Sequence, residues 1–276
     1  MTILKHELRL GRVAFWVWSG VLAFLLAVCV FLYPQMKGEM EQMGDIFASM
    51  GSFTDAFGMD KLNFGTLLGY YAIECSNTLG LGGAFFAALT AAAALCGEER
   101  NKTAEFLLTH PVSRTRIMAE KLISVLLRMI GMNVVVFAVS IASVAAIGEE
   151  IPWKELCLLH LAHCLMTLEI AGICFGISAF LRGGSAAIGL GVAVLFYVTN
   201  LFANITEKAE FLKYLTPFAF CDGATIVDKG GLDWTKVTVG LGMAAVCVAA
   251  AFWYYPRKDI PCGVSPCVGA ALTPQG

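Results

Sequence analysis

The apolar positions of the chain are gathered into long blocks, not into the short alternations of a soluble fold. Six blocks are long enough to cross a bilayer, whose ~30 Å hydrocarbon core takes about 20 helical residues. They run at about Val13 to Tyr33, Leu67 to Cys96, Met129 to Ile147, Leu156 to Leu181, Ser185 to Ala203 and Val237 to Tyr255. Pro34 is expected to end the first, since proline has no N–H to continue a helical ladder. A signal peptide is the competing reading of that block. The run is too long for one, however, and no small-x-small cleavage site follows, so it reads as a retained span. The second block exceeds what a bilayer needs and is expected to extend past the outer face. Only Arg182, Gly183 and Gly184 separate the fourth block from the fifth, which predicts a tight hairpin.

Polar and apolar positions mix differently outside these blocks. In Met1–Arg12, Ile3, Leu4, Leu8 and Leu10 recur near helical spacing among Lys5, His6, Glu7 and Arg9, the pattern of a helix lying on a membrane surface. The segments Gln35–Phe64 and Asn204–Lys236 also carry apolar residues at helix-like spacing (Ile46, Phe47, Met50, Phe53 and Phe57 in the first) and predict short capping helices. The expected fold is therefore an all-α integral membrane protein of six transmembrane helices, with an N-terminal interfacial helix and short outer helices.

Composition agrees. Hydrophobic residues make up 58% of the 276 and charged ones 14%, with a mean hydropathy of +0.74. Soluble domains carry about 25% charged residues. The net charge of −2 matters less than its distribution. Twelve of the 19 Lys and Arg residues fall on one side of the six spans, in the N-terminal stretch, Arg100–Arg128, Arg182 and Arg257–Lys258. The acidic residues gather in the opposite loops. By the positive-inside rule both termini are cytoplasmic and the acidic loops face outward. The ten cysteines include no C-x-x-C pair, and Cys29, Cys164, Cys174 and Cys247 lie inside apolar blocks, where a thiol serves as a small hydrophobe. Nothing points to nucleic acid.

The informative cytoplasmic segment is Gly97–Leu122, GEERNKTAEFLLTHPVSRTRIMAEKL. Glu98–Thr109 is rich in helix formers. Pro111 breaks that helix, and Ser113 is a good N-cap for the next, which carries Arg114, Arg116 and Lys121 into the third span. Phe106, Leu107 and Leu108 form an apolar tip flanked by charge. Such a tip is covered either by the bundle and lipid headgroups or by a docked partner.

Glu98 or Glu99, Thr103, Glu105, Leu107, Leu108, Pro111, Ser113, Arg114, Lys121 and Leu122 stand at the spacing of the ABC-2 type permease signature, which the segment closely resembles. It departs at Lys102, where that family usually has Gly, favouring a continuous helix. Lys5-His6-Glu7-Leu8, Tyr214–Phe218 and Arg257-Lys258-Asp259-Ile260 resemble the family's opening helix, outer re-entrant region and closing motif in the right order. The resemblance covers 1–260 as one six-span permease domain and leaves 261–276 as a flexible cytoplasmic tail.

It implies the membrane subunit of a bacterial ABC exporter in the plasma membrane, with Glu98–Thr109 as a coupling helix on a separate ATP-binding subunit. Phe106, Leu107 and Leu108 would supply the buried contact, and Glu98, Glu99, Glu105, Arg114 and Arg116 the register. ATP and Mg would be bound by that partner, and none by this chain, which has no G-x-x-x-x-G-K-[ST] run. A second permease subunit, identical or not, would complete the transporter.

Within the spans, Glu169 near the middle of the fourth is a candidate for the translocation pathway or, as the alternative, a protonated carboxyl bonded across helices. His160, His163, Cys164 and Thr167 share one helix face at about 100° per residue. They read as a polar packing seam or as a proton or metal path, and His163 is the second pathway candidate. Glu169 lies about 180° from His160. Gly172-x-x-x-Gly176 and Gly80–Gly83 predict close helix contacts. Other functions fit less well. A prenyl-protein protease would need an Arg four residues after Glu99, where Thr103 stands. A gradient-driven secondary transporter would show internal repeats and several deep charges. A membrane protein without transport activity has no feature of its own here. The substrate is not written in the sequence.

Overall fold

The computed structural model describes residues 2–49, 66–100, 113–181, 186–205 and 207–258. Among these residues there are helices and no strands. Helix α1 spans Thr2–Leu10, α2 Arg12–Ser49, α3 Leu67–Arg100, α4 Arg114–Ala146, α5 Trp153–Phe180, α6 Ala187–Ile205, α7 Gly223–Lys229 and α8 Trp234–Tyr254. Six of them, all but α1 and α7, are long and apolar enough to cross a membrane.

Burial sorts the six. In the most apolar stretch of α5, 67% of residues are buried, and 56% in α3, against 17% in α6 and 22% in α8. Helices α3 and α5 thus form the centre, packed on each other, with α8 on the other side of α5, α2 and α4 flanking, and α6 outside α3. The core is aliphatic and aromatic: Tyr33, Tyr71, Phe86, Phe175, Leu79, Met129 and Met132 are fully buried. Apolar residues such as Val13, Trp16, Phe24, Leu195, Phe202 and Val246 are exposed on the outside of the bundle, a surface suited to an apolar solvent and not to water.

Small residues set the closest approaches. A Cβ on Gly176 would stand 2.7 Å from both Cys247 Cβ and its carbonyl oxygen, and one on Gly172 3.0 Å from Ala244 Cβ. The G-x-x-x-G of α5 is therefore the α8 contact, as its spacing predicts. Gly83 meets Thr167 across the α3–α5 interface, and Gly82 meets Leu22.

Three expectations change. Pro34 does not end the first helix: α2 runs through it to Ser49. A proline removes one helical hydrogen bond, a loss the remainder of a long helix can absorb, especially with Tyr33 fully buried and stacked on Tyr70. The fourth and fifth spans are sequence neighbours, yet α6 lies mainly along α3, where Gly189 fits against the Ala88 carbonyl and Ala92. Small residues on both surfaces outweigh the short connection. Arg128, a long cationic side chain at the inner end of the third block and so able to snorkel, instead folds onto α1, as described below.

The segment between α6 and α8 forms the expected short helices: 3-10 turns at Glu207–Tyr214 and Pro217–Phe220, then α7. Thr216 and Asp222 cap the second turn and α7, and the Thr216 hydroxyl donates 3.0 Å to the Phe196 carbonyl. Asp233 caps α8 through the N–H groups of Thr235 and Lys236. Slight burial opposes its charge, but the Lys236 ammonium and those N–H donors prevail, holding its carboxyl below the usual range. The corresponding prediction for 35–64 lies partly outside the described residues.

Candidate coupling site and buried polar seams

The segment predicted to couple runs between the ends of α3 and α4. Glu98 and Glu99 lie in the last turn of α3. Thr103, Glu105, Phe106, Leu107, Leu108 and Pro111 lie outside the described residues. Ser113 has the extended backbone of an N-cap, and its hydroxyl accepts from the Arg116 N–H at 3.3 Å. This satisfies one of the helix's orphan donors. Arg114 reaches across to the chain's closing motif, donating 2.8 Å to the Lys258 carbonyl and 3.4 Å to that of Pro256. Lys258 in turn donates to the Leu181 carbonyl at the end of α5. Both basic residues thus tie helix ends together.

Beside them stands a charged node that the sequence does not single out. The Lys121 ammonium donates 2.9 Å to the Glu7 carboxylate and 2.9 Å to the Ala94 carbonyl, with only 3% of the residue exposed. Arg128 donates 2.7 Å to the Glu7 carbonyl and lies 3.8 Å from its carboxylate. The Leu4 N–H donates 3.0 Å to Glu120, which also accepts from Arg116 at 3.1 Å. Glu7 and Lys121 both belong to stretches that carry the family resemblance. What the sequence lacks is any sign that they meet, 114 residues apart.

The two pathway candidates are separated by the body of α5. His163 faces α3, its ring 3.7 Å from where a Gly80 Cβ would stand, and its Nδ1–H donates 2.7 Å to the Leu159 carbonyl. His160, one turn away, shares a 2.8 Å hydrogen bond with the Tyr71 hydroxyl and packs on Phe137. Asn133 of α4 donates 3.1 Å to Thr167. Seen together, these residues form a polar seam where α3, α4 and α5 meet. Ser140 Oγ, Asn133 Oδ1, His160 Nδ1 and His163 Nε2 are buried there without a hydrogen-bond partner among the described residues.

Glu169 points the other way, into α8. Its carboxylate fills the space over Gly240, where even a Cβ would overlap it, and it is 1% exposed. Among the described residues no cluster of three His, Cys, Asp or Glu has the arrangement of a metal site. A cavity of about 40 Å³, room for a few waters at most, opens between α3, α6 and the 3-10 turns, lined by Ser76, Asn77, Tyr197, Asn200, Phe218 and Asp222.

Comparison with known families completes the description. The profile described as "ABC-2 family transporter protein" matches residues 1–260. No curated protein matches the chain.

Proposed function

The chain belongs to the ABC-2 transporter family, as a multi-pass permease, and on that premise we propose that it has no catalytic site of its own and is driven by a separate ATP-binding subunit docked on Glu98–Thr109. The observation that carries this reading is the family match over 1–260, together with a Gly97–Leu122 segment that resembles the family's coupling signature and joins the central helix α3 to the flanking α4. The Phe106-Leu107-Leu108 tip is the buried contact, and Glu98, Glu99, Thr103, Glu105, Pro111, Ser113 and Arg114 shape and orient it. The partner holds ATP and Mg. Two permease subunits flank the translocation path, which leads outward across the cell membrane, and both termini face the cytoplasm, on the side where basic residues concentrate. Glu169 and His163 belong to separate helix interfaces, so a single path through one subunit does not pass both.

Purification of the tagged protein from detergent, with mass spectrometry of what accompanies it, tests this. An ATP-binding subunit is expected with the wild type and is expected to be lost from the Leu107→Asp, Leu108→Asp double variant. Absence of an ATPase from the wild type, or its full retention by the variant, refutes docking at this segment.

A further inference from the structure

We propose that the cavity between α3, α6 and the 3-10 turn Pro217–Phe220 is a binding site for a primary ammonium group, supplied by a lipid headgroup or by a free amine. It lies at the end of the bundle away from α1. Ser76 in its wall and Ala94 beside Lys121 are roughly 27 Å apart along α3.

The walls are fixed by bonds that use up their own polar groups. The Ser76 hydroxyl donates 3.2 Å to the Cys221 carbonyl and accepts the Gly223 N–H at 3.0 Å. Gly223 is pressed so closely on α3 that a Cβ there would overlap the Ala72 carbonyl. The Thr216 hydroxyl ties the turn to the Phe196 carbonyl of α6, and the Phe218 ring meets that of Tyr197 edge-on, with centroids 5.5 Å apart.

Two groups of the lining are left over. Asn200 Oδ1 is buried with no hydrogen-bond partner among the described residues. Asp222 spends Oδ2 on capping α7, where it accepts from the Thr225 N–H and hydroxyl. No Lys or Arg among the described residues pairs with its charge. Asn77 adds a second amide, and the described lining holds no basic side chain.

A buried carbonyl oxygen without a partner calls for a donor, and an unpaired carboxylate for a positive charge. A primary ammonium is both, with three N–H donors on one cation. Its head is about the size of a water, and a cavity of about 40 Å³ takes a few such groups. Tyr197 and Phe218 give aromatic walls of the kind that attract a cation over a ring face. A quaternary ammonium brings the charge but no donor for Asn200. A sodium ion needs a shell of oxygens that the two rings interrupt.

The lipid-stripped full chain in detergent, without any ATP-binding subunit, tests this in two arms. Thermal unfolding is followed in methylammonium, tetramethylammonium and sodium chloride at equal ionic strength. Native mass spectrometry follows retention from an equimolar mixture of phosphatidylethanolamine, phosphatidylcholine and phosphatidylglycerol. Preference for the primary ammonium is expected in at least one arm. In the lipid arm alone it assigns the site to a headgroup, and in the salt arm it assigns the site to a free amine. Asp222→Asn removes the charge but keeps a good N-cap, and is expected to weaken the preferred ligand about tenfold or more. Asn200→Leu is expected to level methylammonium with tetramethylammonium. Equal effects of all three salts together with no preference among the lipids overturn the proposal, and need no variant to show it. So does a preference that Asp222→Asn leaves unchanged.

Discussion

Single residues in this bundle act mainly by what they leave out. Gly176 and Gly191 show the contrast. The first lies against the Cys247 backbone, while a Cβ on Gly191 would meet nothing within 4 Å. Gly176→Ala is expected to lower stability by about 1–3 kcal/mol, the cost of overpacking where backbone must yield. Gly191→Ala is expected to leave it unchanged or raised, since alanine suits a helix interior better than glycine. Thermal unfolding in one detergent checks both. The glycine spacing of α5 announces its contact, because small-x-x-x-small reports on one helix surface alone. The place of Glu169 over Gly240 is not announced, since it depends on which helix turns out to face α5.

At the level of elements, apolar block length locates all six spans to within a few residues, apart from the fourth-turn extensions at the near end of α4 and the far end of α2. Those extensions are too polar to count as span: the near end of α4 reads in the sequence as the helix that Ser113 caps, and the far end of α2 as part of a separate capping helix. Pro34 looks like a terminator because a local rule sees the missing N–H, but not the buried Tyr33 that anchors the turn before it. The coupling region divides similarly. Ser113 is legible as a cap from its type and the helix formers after it, whereas the Lys121 node needs α1 and α4 to be adjacent. Ser113→Ala is expected to cost about 1 kcal/mol of local stability in the first turn of α4. Faster amide exchange at 114–118, with the remainder of α4 unchanged, is the measurement. Unaltered exchange there would mean that the Arg114 contacts to Pro256 and Lys258 hold the turn without its cap.

For the molecule as a whole, the arrangement is a central pair, α3 and α5, wrapped by the other spans, with basic residues concentrated at one end, where α1, α4 and the chain's closing motif interlock. Family membership was legible because it rests on motifs in order along the chain. The substrate was not, because it depends on surfaces that several helices contribute together.

The depth of α5 has a consequence for biogenesis. A helix with no broad lipid-facing side, and with His160, His163 and Glu169 all buried against neighbours, is poorly matched to hydrocarbon on its own. A charged residue at a span's centre opposes insertion by about 2.5–3.5 kcal/mol on the translocon scale. Helix α5 should therefore enter the membrane in the company of α3 and α4, which are made before it, and not as an independent passenger. Grafted alone into a host protein between glycosylation acceptor sites, it is expected to insert less efficiently than α2, and Glu169→Leu is expected to close most of the gap. Equal insertion of the two would mean that the translocon accepts this segment before its neighbours can shelter it.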